Sequence, residues 1–565
     1  MWDKKWLSIT NSVIALFTLM LYLSMHTMIC YIGFATFHAM PYIIMGLLVV
    51  LAVLSLLDTL YKHKKVMTIV LTIINLCTFV VGIAYFIGFI RQIKIFLRAM
   101  PVLLGIYIII FLIVYLIFYF PKVKHYNKLV AIILCVVLSL VTIIGCSDIK
   151  NIVINHFTEG AVVYVVEDDY QIVFTTAAKG TGYVVIGDQT YYDEKAGSLV
   201  DSQTVHKITV PQNVLDEKKS YTIGSKTIFF EEAFSAIRGR TITKDFTFRP
   251  IDETDGLQYY TVADAHDSYS GVVSAADYYG SKTDFIIVGG DSVDFLGDKT
   301  SLERVLHLNY EVSKGQIPVV FARGNHELKG RQASNLYRYV GTNDNDEYYY
   351  TFTLGQTVWG IVLDMGESYD DDWYEFYGTA MFESYRNKQL GFVQGIIDNK
   401  DSEYDADGIE HRIAISHIAT AITSYEKLYF YDYFIDLNLK LNQIPLDVML
   451  NGHIHEAFYV PDNYLVGDKL DYVNTSYIGG EANDTIEFIA TGANYNSLFC
   501  SRHSDIQSIS KNENMLGGGY LGVALEYKLD EGVLEVRFTN SNKEIIKSEN
   551  PFKVDESYGK VIYLS

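Results

Sequence analysis

The chain has 565 residues, with 45 Lys/Arg against 66 Asp/Glu, a formal net charge of −21 and 5 cysteines. Its charge is divided: residues 1–150 carry 12 Lys/Arg and 3 Asp/Glu, while the remainder carries 33 and 63. So acidic a second part repels nucleic-acid phosphates, and no nucleic-acid partner is expected. Cys500 alone lies beyond Cys146, which excludes a disulfide framework or a thiolate metal cluster there.

Apolar runs near 8–34, 41–60, 66–90, 99–120 and 129–146 mostly reach the ~20 residues that a bilayer-spanning helix needs. They predict an all-α membrane domain of about five transmembrane helices over residues 1–150, and they continue too far for a cleavable signal peptide. Lys4, Lys5, Lys62, Lys64, Lys65, Lys122, Lys124 and Lys128 would fall on one side, and only Arg91, Lys94 and Arg98 on the other. The excess places the amino terminus in the cytoplasm, and an odd number of spans places the rest outside the cell as a multi-pass cell-membrane protein. Asp58 is the sole acidic residue within these runs. An anchor fits that better than an ion or solute pathway.

Residues 151–252 contain short runs, among them AVVYVVED, YQIVFTT, TGYVVIG and HKITV, separated by turn signals such as AKGTG and LDEKKS. This spacing predicts an all-β sandwich, read as a spacer because it holds no His/Asp cluster. Over 253–565 the pattern changes to strands alternating with helices, the helix candidates being SGVVSAADYYG, SLERVLHLNYEVSKG and ESYRNKQLGFVQGIIDNK. Tyr348–Tyr350 and the DDDWYEFY stretch at 370–377 read as exposed insertions. Strands return after 480, which predicts a layered α/β sandwich with helices outside.

Five apolar strand candidates end in the same kind of residue. They run into Asp264 and His266, into Asp291 and Asp294, into Asn325 and His326, into His417, and into His453 and His455. In an α/β sheet, ligands collect beyond the carboxyl ends of strands. Carboxylate, amide oxygen and imidazole are suitable donors for Mn, Zn or Fe. Two such ions together can clamp a phosphate and activate water. His156, His206, His307, His411 and His503 match no such position and read as surface or packing residues.

The series Asp264-Ala-His266, Gly290-Asp291-Ser292-Val293-Asp294, Gly324-Asn325-His326-Glu327, His417 and Gly452-His453-Ile454-His455 resembles the calcineurin-like metallophosphoesterase family. The resemblance covers roughly 255–540. With a fibronectin-III-like sandwich in front, the layout is similar to the purple acid phosphatases. It implies two divalent metal ions (Mn, Zn or Fe), one on Asp264, His266 and His455, the other on Asn325, His417 and His453, with Asp291 bridging. It implies that His326 faces the scissile phosphate and that Asp294 orients His326. Asp294 and His266 depart from the purple acid phosphatases, which carry Tyr and Gly there, so a colourless centre is expected. The implied activity is a membrane-anchored, extracytoplasmic hydrolysis of phosphate monoesters by a metal-activated water. Phosphodiesters or pyrophosphates of lipid-linked or envelope polymers are the alternative substrates, and a non-catalytic surface receptor is a second alternative. The implied partner is a phosphorylated small molecule or an envelope substrate.

Overall fold

The computed structural model describes residues 4–31, 39–60, 65–90, 155–231, 236–367, 371–424, 431–455, 457–460, 464–474, 484–501, 520–528, 531–545 and 560–563, with Tyr369 and Asp462. The chain divides into two compact units, Met1–Lys150 and Asn151–Ser565.

In the first unit, three of the five apolar runs form helices: α1 (Lys4–Tyr31), α2 (Ala39–Leu60) and α3 (Lys65–Ile90). The runs at 99–120 and 129–146 and the Arg91–Arg98 stretch lie outside the described residues. Among the described residues no helix is long and apolar enough to cross a membrane. The predicted bundle of five spanning helices is corrected accordingly, and the extracytoplasmic location, which rested on those spans, is not carried forward. Asn11, Ser12, Ser55, Thr68 and Asn75 stand among the apolar residues of these helices. In the structure they are buried and paired between helices. Asn11 donates to the Thr68 carbonyl (3.2 Å) and to Thr72 (2.9 Å), Ser12 to the Ser55 carbonyl (2.8 Å), and Asn75 to the Ser55 hydroxyl (2.9 Å).

The second unit is built on two sheets. At the centre of the larger one lie β1 (Phe157–Val166), β2 (Leu257–Val262), β3 (Phe285–Val288) and β4 (Pro318–Phe321), in the order β2-β3-β4-β1 and all parallel. The strands 520–528, 533–540 and 560–563 extend it beyond β2, and 169–186, 220–231 and 236–247 extend it beyond β1. In the second sheet β5 (Val358–Leu363), β6 (His411–Ser416) and β7 (Val448–Asn451) are parallel neighbours.

The fibronectin-like sandwich expected over 151–252 is therefore corrected: its strands continue the main sheet. Val163 and Tyr164 of β1 stand in parallel register with Pro318 and Val319 of β4. The physical reason is visible in AVVYVV, which is apolar at every position rather than at alternate ones. Such a strand is buried on both faces, as parallel central strands are. Val163 and Val165 enter the core between the two sheets, beside Ile287, Val320, Ile413 and Leu450. Val162 and Tyr164 face the opposite way, into the core of the helical layer.

That layer contains α4 (Tyr269–Ala276) and α5 (Lys299–Ser313) over the outer face of the large sheet. Asp298 caps α5 by accepting from the Ser301 amide at 3.0 Å. On the outer face of the second sheet lie α6 (Phe382–Asp398) and α7 (Tyr431–Leu441), packed through Val393, Ile396, Leu437 and Leu441 against Ile361 and Met449. The order of layers is helix, sheet, sheet, helix. This sheet-rich core fits an α/β metallophosphoesterase. The two sheets are also joined by a polar contact, in which His411 lies between Asp447 (2.7 Å) and the Tyr259 hydroxyl (3.1 Å).

Tyr348–Tyr350 are buried rather than an exposed insertion. Tyr350 donates to the Phe321 carbonyl at 2.7 Å, and Tyr348 lies against the Arg323 guanidinium. Val163→Asp would put an unpaired carboxylate into the shared core, and a cost of at least ~3 kcal/mol is expected. Denaturant unfolding should show one destabilised transition that includes the metal site. An independent sandwich would give a separate transition and leave metal binding untouched.

Candidate metal centre

Both sets of parallel strands point their carboxyl ends at the same crevice. Asp264 and His266 follow β2, Asp291 and Asp294 follow β3, and Asn325 and His326 follow β4. From the second sheet, His417 follows β6, and His453 and His455 follow β7. Asp264, His266, Asp291, His453 and His455 all have left-handed backbones, with φ of 58°, 43°, 53°, 74° and 57°. Non-glycine residues hold that conformation at a cost, and such strain gathers at functional sites. Here it turns the side chains back over the strand ends.

Besides a group of His266, Asp294 and His326 at the rim, the side chains form two groups deeper in the crevice. Asp264, His266 and His455 are one, with His266 Nε2 at 3.1 Å from His455 Nε2 and His455 Nε2 at 3.4 Å from Asp264 Oδ1. Asp291, His417 and His453 are the other, with His417 Nε2 at 3.1 Å from Asp291 Oδ2. Asn325 Oδ1 belongs with this second group, 3.1 Å from His417 Nε2 and 3.1 Å from His453 Nδ1. Asp291 Oδ2 is also 3.7 Å from His266 Nε2, so it lies between the two groups.

The donor chemistry indicates a cation. His417 Nδ1 is 2.7 Å from the Gly289 carbonyl, which can only accept, so Nδ1 carries the proton. In a neutral ring the Nε2 lone pair would face a carboxylate oxygen and an amide oxygen, so a proton or another cation is favoured among these three acceptors. Burial opposes a charge on His417, but Asp291 and Asp264 override it and raise its pKa to about 10. Burial likewise opposes ionisation of Asp291, yet His417, His326 and His266 draw its pKa far down. Positive charge is what this pocket lacks, and divalent metal ions on these residues would supply it.

His326 and Asp294 stand at the rim. The His326 amide donates to Asp291 Oδ1 (2.8 Å), and its Nδ1 meets the Asp294 backbone carbonyl (2.7 Å). The Asp294 carboxylate, half-exposed, is 3.0 Å from His266 Nδ1 instead. Asp294 thus touches both histidines, His326 through its carbonyl and His266 through its side chain. Arg323 is buried in an ion pair with Asp364 at 2.5 Å, away from the crevice.

Residues 258–457 match the family model for the calcineurin-like phosphoesterase. The chain carries a calcineurin-like metallophosphoesterase domain. It is a metal-dependent phosphoesterase. Among solved structures, the chain is similar to a purple acid phosphatase, PPD1, from yellow lupin (Lupinus luteus) seeds, with 12% identity, TM-score 0.41, and 72% of this chain and 73% of that one covered. It is similar also to PhoD, with 12% identity, TM-score 0.38, and 68% and 87% covered. A predicted phosphoesterase from Streptococcus pneumoniae shares 12% identity at TM-score 0.23, over 54% and 96%. No curated protein matches the sequence.

The metallophosphoesterase centre has supports that the strand-end pattern did not single out. Glu327 is fully buried and accepts from the amides of Asp291 (2.8 Å), Ser292 (2.6 Å) and Gly324 (2.9 Å), which ties the β3 loop to the β4 loop. Burial, then the Asp291 charge, push its pKa up to about 7. Glu367, beyond β5, accepts from Asn325 Nδ2 at 2.6 Å and so turns the amide oxygen toward the histidines. The run VWGIVLDMGE, apolar and ending in acids, carried the same signal as the other strand ends. Lys329 lies beside His326 and had no motif to mark it.

Two outcomes follow from this scaffold. Gly324→Ala would place a Cβ 2.1 Å from Asp291 Oδ1, so the two loops cannot keep their spacing. Metal content measured by elemental analysis should fall while the far-ultraviolet dichroism is kept. Glu327→Gln replaces a triple acceptor with an amide of one acceptor oxygen, and metal affinity should drop by about 10–100-fold in a metal titration.

Proposed function

We propose that this centre hydrolyses phosphate monoesters with two divalent cations of the Mn, Zn or Fe kind, its partner being a phosphorylated small molecule. The observation that carries the reading is the position of Asp291 Oδ2, 3.1 Å from a histidine of one donor group and 3.7 Å from a histidine of the other. Asp264, His266 and His455 would hold one ion; Asn325, His417 and His453 the other; Asp291 would serve both. When bound, the ions would supply an activated water and charge neutralisation of the phosphoryl oxygens.

The chain's own residues do the rest. Glu327 and Glu367 fix the loops that carry Asp291 and Asn325. Asp294 holds the rings of His266 and His326 in place. With Nδ1–H committed to a carbonyl, His326 in its protonated form would turn Nε2–H to the ester, where it would steady or protonate the departing oxygen. A monoester carries the larger negative charge, and the cationic Lys329 beside His326 suits it.

The test uses the purified full chain with 4-nitrophenyl phosphate and its bis-ester, metal-stripped or supplied with Mn, Zn or Fe. Metal-restored turnover that favours the monoester, and that Asp291→Asn abolishes, is the expected result. Preference for the bis-ester would replace the monoester reading with a phosphodiesterase. Two bound metals per chain without turnover of either ester would leave a metal centre and remove these substrate classes.

A further inference from the structure

Lys329, whose charge suits a monoester, has no part in bond breaking in the mechanism above. Lys329 caps the short turn His326–Leu328, and its side chain is only 14% exposed. Its backbone is fixed on both sides: the amide donates to the His326 carbonyl (3.1 Å) and the carbonyl accepts from Leu296 (2.8 Å). Its ammonium is 3.3 Å from His326 Nε2 and 3.3 Å from Glu375 Oε2. The next acceptor, Glu367 Oε2, is 3.9 Å away and already takes the Asn325 amide. An ammonium has three N–H groups, and 3.9 Å is beyond hydrogen-bond reach. Among the described residues at least one N–H is therefore left without an acceptor, at the side of the ring nitrogen that faces the ester.

Burying an ammonium is costly unless something orders it. Here the ordering comes from the surface segment 371–382, whose Glu375 supplies both the carboxylate and a backbone carbonyl, the latter accepting from Gly330 N at 2.9 Å. The segment is itself seated by Phe376 and Phe382 on Leu328, the residue before the lysine. Nothing in the metal-ligand set requires this arrangement, because neither Lys329 nor Glu375 touches a ligand of either cation group at bonding distance. What the arrangement does is hold one positive charge, independent of the metal ions, at the mouth of the centre.

We infer that Lys329 is a further catalytic residue, which donates from its ammonium to the departing ester oxygen, with Glu375 as the residue that positions it. The inference rests on the phosphoesterase reading above. In the step concerned, the water oxygen forms a bond to phosphorus while the ester P–O bond breaks and its electron pair stays on the departing oxygen. One proton of the water ends, net, on the released alcohol. The lysine steadies the charge on that oxygen as the bond breaks. Its contribution is then greatest for a poor leaving group, such as a simple alkyl alcohol, and least for 4-nitrophenol, which carries negative charge by itself.

The experiment compares the full chain with Lys329→Met, Lys329→Arg and Glu375→Gln, on an alkyl phosphate and on 4-nitrophenyl phosphate, with bound metal measured in every sample. Lys329→Met should lower kcat by about 10²-fold on the alkyl ester and by tenfold or less on the nitrophenyl ester, with metal content unchanged. Lys329→Arg should recover part of the alkyl activity, and Glu375→Gln should show the same leaving-group bias in weaker form. Equal losses on both esters, or a loss that tracks lost metal, would overturn the assignment and leave Lys329 a structural ion pair. Absence of metal-dependent turnover in the unaltered chain would overturn the hydrolase reading itself, a separate outcome.

Discussion

The second unit depends on one electrostatic problem, the gathering of acceptors around Asp291. A carboxylate, an amide oxygen and several imidazole nitrogens are brought together from two sheets, and the carboxylates favour positive charge among them. Left alone they would repel, and in a buried pocket water does little to screen them. The surrounding structure is arranged to hold them there nonetheless. The Glu327 carboxylate takes three amides, Glu367 turns Asn325, and Gly289 fixes the His417 ring. Five non-glycine residues in left-handed conformation are the backbone's share of this cost. A scaffold that gathers acceptors and favours positive charge among them is pre-organised for cations, and that is why the chemistry can be read from the protein atoms.

The site was largely legible in the sequence because strand ends are local. An apolar run closing in Asp or His shows where a side chain leaves the sheet, and parallel strands bring such ends to one edge. All seven proposed ligands fall into the two groups around Asp291. What was not legible was any relation between residues distant in the chain. Asp294 was expected to orient His326, yet its carboxylate goes to His266 and only its carbonyl to His326. Which of the two atoms makes the contact depends on loop shape, which no spacing rule reports. Lys329 and Glu375 were hidden for the same reason, since the contact spans a surface segment.

The larger misreadings share a cause as well. Short strands with turns between them fit a separate sandwich as readily as an extension of a sheet, and β1 belongs to the second case. The uniform burial of AVVYVV was the sign, but it outweighs the spacing only when its partner, β4, is known. In the first unit, apolar content alone suggested spans, whereas the described helices meet through a ladder of Ser, Thr and Asn. Hydropathy sums do not register where such residues point. Tyr348 and Tyr350 illustrate the converse, polar-tipped rings that are buried because each has a specific neighbour.

The pairing of β1 with β4 also has a temporal side. One edge of β1 pairs at once with the strand that follows it, Val163 against Ile172, but on the other edge residue 163 finds its neighbour only at residue 318, and β2 in turn waits for the strand at 520–528. A chain made from its amino end must therefore carry a fully apolar strand with one open edge through much of its synthesis, and the sheet is completed only when the last strands arrive. Long-range pairing of this kind is slow and exposes sticky edges while it waits. The acidic character of the whole second part, 63 Asp/Glu against 33 Lys/Arg, bears on this, because a net charge so far from zero keeps copies of a chain apart in solution.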